Sequence, residues 1–169
     1  IVITGAARTP MGGFQGELSD LRAAELGSAA IKAAIERSGI AADQIDEVIM
    51  GNVLPAGQGQ APARQAAIGA GIPLGTGCTT INKMCGSGMK AAMLTHDLLL
   101  GGNNQVMVAG GMESMTNAPY LLDKARGGLR MGHGTVSDHM FLDGLEDAYD
   151  KGRLMGSFAE ATAQAYQFT

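Results

Sequence analysis

The chain has 169 residues, 46% of them hydrophobic and 17% charged, with a net charge of −4. That balance fits a packed globular protein rather than a disordered one, and no apolar run is long enough to cross a bilayer. Lys and Arg are scattered, so nothing points to nucleic acid or a membrane surface as a partner.

The length allows one domain, or one core with part of a second. Two cysteines, Cys78 and Cys85, make a weak case for a disulfide framework, and the chain starts on a strand-like run without a charged leader. A reducing cytoplasm is the expectation. The 26 glycines read as turns and close helix packing, and the 11 methionines as core filler.

In chain order, Ile1–Thr4 reads as a short strand and residues 8–13 as a connecting loop. A helix follows over Leu21–Ser38, with Ser19 or Asp20 as N-cap, Gly39 just past its end and a wet stripe through Arg22, Glu25, Lys32 and Glu36. Val48–Met50 is the next strand, and Pro62 suits the first turn of a short helix. Thr79–Ile81 and Val106–Val108 are further strands. Between them a helix runs to about Leu100, closed by Gly101 and Gly102, and apolar around most of its circumference, so it reads as buried.

Short β-branched runs thus alternate with Ala-rich helices as far as Gly111, the signature of an α/β fold. Beyond it the rhythm stops, and helical stretches remain only near Leu142–Tyr149 and Phe158–Tyr166. A boundary falls near Ser114, giving residues 1–114 as an α/β domain and 115–169 as the beginning of an irregular, partly helical one.

Chemistry concentrates at Lys83–Lys90, where a strand gives way to a helix and Cys85 stands at the helix N-terminus. The positive end of the helix dipole favours an anion there, and the thiolate is the nucleophilic form of cysteine. Gly86 and Gly88 keep side chains away from the turn. Burial would oppose ionisation, so a base is expected nearby, most often a histidine. His96 is excluded, lying eleven residues along the same helix at roughly 16 Å. His133 and His139 sit in the irregular region and read as solvent-facing, so the base is expected outside these residues. Local pattern alone leaves Cys85 open between a nucleophile and a small buried core residue.

Residues 82–90 (Asn-Lys-Met-Cys-Gly-Ser-Gly-Met-Lys) resemble the acyl-enzyme signature of thiolases. Residues 108–115 (Val-Ala-Gly-Gly-Met-Glu-Ser-Met) resemble that family's second N-terminal signature. Residues 7–10, 51–53 with 63–65, and 143–145 leading to 155–156 agree, in the family's order along the whole chain. The resemblance implies a layered α/β/α N-terminal domain with a mixed sheet, completed by a last strand from beyond the inserted loop domain that begins here.

The resemblance also implies a function: reversible, ping-pong Claisen condensation of two acetyl-CoA to acetoacetyl-CoA and CoA, with Cys85 carrying the acyl group and its backbone N–H stabilising the oxyanion. Coenzyme A enters as substrate and product, with no other cofactor and no metal. Met155 matches a methionine that lines the acyl pocket, with plain core packing as its other reading. Leu154 replaces a histidine common in short-chain members, which bears on acyl selectivity. A longer-chain 3-ketoacyl-CoA thiolase shares the nucleophile segment, a decarboxylating ketoacyl synthase ranks third, and a non-catalytic fragment or scaffold subunit is the reading from another class. The family implies a homodimer or homotetramer, a catalytic histidine and a second cysteine in the C-terminal half, and Cys78 as a core residue.

Overall fold

The computed structural model describes residues 1–169, which divide into two units, Ile1–Asn117 and Ala118–Thr169. The first is built from β1 (Glu47–Gly51), β2 (Gly77–Ile81) and β3 (Met107–Gly111) with α1 (Ala23–Ser38), α2 (Pro62–Gly69) and α3 (Ser87–Leu100). The strands form one parallel sheet in the order β2-β1-β3, with Gly51 of β1 in register with Ile81 on one side and Gly111 on the other. This is the expected layered α/β arrangement, and its strand and helix pattern follows from the alternation read in the sequence.

Side chains alternate across β1, as a strand requires. Val48 and Met50 join a core with Ala23 and Ile31 of α1 and Ala63, Ala66 and Ala67 of α2. On the opposite face Gly51 lies against the first turn of α3. Small residues bring α1 and α2 together: Ser28 Oγ donates to the Ala66 carbonyl at 2.9 Å, and a Cβ on Gly27 would come within 3.1 Å of the Ala66 Cβ.

Three expectations are corrected. Ile1–Thr4 is not a strand; Ile3 is 90% exposed, and the segment runs along one wall of an open slot whose other wall is Val106–Gly111 of the β3 edge. Sheet hydrogen bonds need a neighbour, and none of these residues lies between the two walls to provide it. Secondly, α1 begins at Ala23 with Arg22 as N-cap, because the Leu21 carbonyl is taken by Ser114 Oγ and Asn117 Nδ2 instead of by the helix. Thirdly, α3 is buried only on the face of Ser87, Ala91 and Thr95; Met89 is 74% exposed, and Met93 and Leu100 are open with it. Nothing in the first unit covers that side.

The second unit holds an antiparallel pair, β4 (Tyr120–Leu122) with β5 (Val136–Asp138), then a π-helical turn at Phe141–Leu145 and α4 (Met155–Tyr166). The expected helix over Leu142–Tyr149 is limited to that turn. Glu146 is extended and donates its N–H to the Phe141 carbonyl, and the Asp147 carboxylate accepts from the amides of Tyr149 and Asp150, which shapes a loop. Gly152 and Lys151 hold the Glu146 carboxyl below its ordinary range, the Gly152 amide contributing most. No helix is long and apolar enough to cross a membrane.

Candidate active site

All three parallel strands end on the same edge, the edge at which open α/β sheets present their functional loops. Asn52–Leu54 follows β1, Asn82–Gly86 follows β2, and Met112–Ser114 follows β3. Cys85 is exposed in the loop after β2, one residue before Gly86, the N-cap of α3. The expectation that α3 would bury it is thereby corrected: the thiol is open on the edge of the sheet.

The turn that presents it is tight. Met84 has φ 48°, a left-handed conformation that costs a side-chain-bearing residue about 1–2 kcal/mol. Gly86 N–H donates to the Lys83 carbonyl at 3.2 Å and Ser87 N–H to the Met84 carbonyl at 3.0 Å, closing the turn into the helix. Three glycines let this turn sit on the strand ends. A Cβ on Gly51 would come within 2.6 Å of Ser87, and Gly88 packs against Gly111 backbone to backbone. Glycine is the residue for such close approach.

The neighbouring loops are tied to it by side chains that pattern reading did not single out. Asn82 Nδ2 donates to the Val53 carbonyl at 3.2 Å, while Asn82 Oδ1 accepts from the Met84 amide at 2.9 Å. Glu113 accepts from the amides of Val53 at 2.8 Å and Leu54 at 2.9 Å, and from Asn52 Nδ2 at 2.8 Å. Asn82 two residues before Met84 is a sequence pattern of Asx turns and could have been noticed. The Glu113 bonds span some 60 residues of chain and leave no such trace.

His96 lies on α3 and is exposed, its Nδ1 at 3.3 Å from Asp97 and not bonded to the turn that holds Cys85. Cys78 sits on β2 against the core, its sulfur 3.5 Å from the Thr76 carbonyl. Burial pushes its thiol above the ordinary range, against the opposing charge of Arg64. In the second unit His133 is exposed, but His139 is not the solvent-facing residue expected: it is 4% exposed, with Nδ1 at 2.6 Å from Asp143 Oδ2 across the π-helical turn. The backbone of His139 is fixed too, its N–H donating to the Pro119 carbonyl. Leu154 and Met155 form the start of α4 and are 42% and 43% exposed, which leaves Met155 outside any packed core.

Comparison with known proteins agrees with this geometry. The chain is 56% identical over its full length to "Acetyl-CoA acetyltransferase A, mitochondrial" of Xenopus laevis, covering 40% of that protein. It is 55% identical to "Acetyl-CoA acetyltransferase 2" of Arabidopsis thaliana, again over its full length and 42% of that protein. Over 97% of the chain it is 53% identical to "Acetyl-CoA acetyltransferase, mitochondrial" of Homo sapiens, of which it spans 38%. The chain therefore spans about two fifths of the length of these relatives. The mitochondrial names of the frog and human proteins overturn the expectation of a cytoplasmic location, which rested on little more than cysteine usage and the character of the first residues. The family model described as "Thiolase, N-terminal domain" matches residues 1–169 from end to end, so this chain belongs to the thiolase family and corresponds to its N-terminal domain.

Proposed function

We propose that the protein containing this chain is an acetyl-CoA acetyltransferase working through an acyl-enzyme on Cys85. The observation that carries the reading is the exposed thiol on a left-handed turn at the N-terminus of a 14-residue helix, on the functional edge of a parallel sheet. In the first half-reaction the Cys85 sulfur attacks the thioester carbonyl of acetyl-CoA, the C–S bond to CoA breaks, and CoA leaves as the thiol after taking up a proton. In the second, the α-carbon of another acetyl-CoA loses a proton and attacks the Cys85 thioester, giving acetoacetyl-CoA and the free thiol. The bases for both proton transfers come from the part of the protein outside these residues, in keeping with the remoteness of His96.

The slot beside β3 supports the same division of labour. It has a volume of about 600 Å³ and is walled by Ile1–Ala7, the β3 edge, and apolar residues of α1 and α3, among them Ile31, Ile35, Ala92 and Leu99. We assign it to a strand from the remainder of the full-length protein, which would pair the β3 edge and give Ile1–Thr4 the neighbour it lacks. Self-association of the full-length protein is part of the proposal and is tested by its mass in solution. Leu154, in the place where short-chain members often carry histidine, favours one competing specificity, a longer-chain 3-ketoacyl-CoA substrate. Comparing acetoacetyl-CoA with longer 3-ketoacyl-CoA as cleavage substrates decides between the two.

The central test is mass spectrometry of the full-length protein incubated with acetyl-CoA and no acceptor. An acetyl group on the Cys85 peptide, lost in Cys85→Ala, is the expected result. Undiminished acetylation in Cys85→Ala overturns the assignment.

A further inference from the structure

Met84 is held in its left-handed conformation by side chains at both of its peptide groups. Its N–H donates to Asn82 Oδ1 at 2.9 Å, and its carbonyl accepts from Ser87 Oγ at 2.5 Å as well as from the Ser87 amide. The same Ser87 oxygen accepts from the Lys83 amide at 2.8 Å, so one hydroxyl closes both sides of the turn that ends in Cys85. Ser87 is 4% exposed and lies against Gly51, where even a methyl group would clash, so its side chain has no room to leave this position.

We propose that Ser87 is a positioning residue for the acyl transfer: its hydroxyl locks Met84 at positive φ and so fixes the direction of the Cys85 sulfur and backbone N–H, with Asn82 bracing the other side. This rests on the reading of Cys85 as the nucleophile. Met84 immediately precedes the reacting residue, so any relaxation of its φ toward negative values rotates Cys85 on the strand end. Such a rotation slows attack on a bound thioester, which depends on near-attack geometry, while the surfaces that hold the substrate stay as they are. Simple packing by Ser87 would have a different signature, because it would be insensitive to which residue stands at position 84.

The test uses the full-length protein. Ser87→Ala is expected to lower kcat about tenfold, equivalent to about 1.4 kcal/mol, with KM within about twofold of the parent. Adding Met84→Asn, a residue that tolerates positive φ on its own, is expected to restore most of the loss. A parental kcat in Ser87→Ala, or a double variant no faster than the single one, overturns the proposal. Where Ser87→Ala fails to fold, Met84→Val reads the same lock, since it keeps every hydrogen bond and opposes positive φ. It is expected to lose kcat in the same way, and parental kcat overturns the idea. Acetyl trapping separates the two layers. If acetylation persists in Cys85→Ala, the nucleophile reading fails and this inference fails with it. If Cys85 is acetylated normally and the Ser87 and Met84 variants behave as the parent, only the positioning role is lost.

Discussion

Asn52 and Glu113 meet head to head where β1 and β3 end: Asn52, 1% exposed, donates from Nδ2 to Glu113 Oε1 at 2.8 Å and to the Met112 carbonyl at 3.2 Å. The same carboxylate fixes the Val53 and Leu54 amides, and Val53 in turn accepts from Asn82 beside Met84. One acidic residue thus ties the loop after β1 to the turn that presents Cys85. Glu113→Gln turns an acceptor into a donor facing these N–H groups, and is expected to cost about 1–3 kcal/mol in denaturant unfolding of the full-length protein. Unchanged unfolding would mean that the loop holds its shape without the carboxylate.

Gly51→Ala is the sharper perturbation. Its added methyl would approach the Ser87 backbone carbon and Cβ at 2.6 Å and the Gly88 nitrogen at 2.8 Å, and neither belongs to a flexible side chain. Overpacking of this kind typically costs about 1–3 kcal/mol. The expected outcome is a protein with lower stability and reduced acetyl loading on Cys85, read by thermal unfolding and by mass spectrometry. Full acetyl loading would show that the first turn of α3 can shift without consequence.

Asp46 joins the start of β1 to the start of β3, its Oδ2 accepting from the Gln105 amide at 2.7 Å and the Val106 amide at 3.0 Å. Those bonds, Val106 first, hold its carboxyl below the ordinary range of an aspartate. A carboxyl lowered on folding adds stability above its unfolded value and surrenders it as the pH falls through the folded one. Asp46→Asn is therefore expected to lower stability at neutral pH and to narrow the gap from the parent as the pH drops below about 4. A gap that stays constant with pH would remove the carboxylate from the account.

In the second unit, His139→Ala removes the imidazole that bonds Asp143 across the π-helical turn and leaves a void where a buried ring stood. Faster hydrogen exchange at Phe141–Leu145, with exchange in β1 unchanged, is the expected result. Protection as in the parent would mean the turn is kept by its backbone bonds alone.

Residues 1–169 expressed alone are expected to bind a hydrophobic dye and to unfold without a sharp transition, because the slot beside β3 and the Met89–Met93 face of α3 stay open. The full-length protein is expected to do neither. A cooperatively unfolding, dye-silent fragment would mean that the slot closes from within.

Much of the first unit was legible because its signals are local. Pro62 starts α2, Gly39 ends α1 with φ 69°, and the strand-forming triplets Val48–Met50 and Thr79–Ile81 fall inside β1 and β2. The failures share a cause in distance along the chain. Ile1–Thr4 has the composition of a strand but depends on a partner that none of these residues provides. The apolar circumference of α3 said that the helix wants cover, and could not say that the cover is absent from these residues. Cys85 stood out only through the motif around it; the left-handed Met84, the Ser87 hydroxyl and the Glu113 carboxylate act through bonds to backbone, which periodicity does not record. The π-helical turn and the β4–β5 pair were missed because each is too short to establish a repeat.

The contact of Gly51 and Gly111 with the first turn of α3 limits how such a protein can change over time. Positions with no side chain offer substitution nothing to tune, so the seating of that turn on the strand ends is closed to gradual adjustment. Variation has to enter through residues that carry side chains, such as Met89 and Met93, which stand open on the outer face of α3.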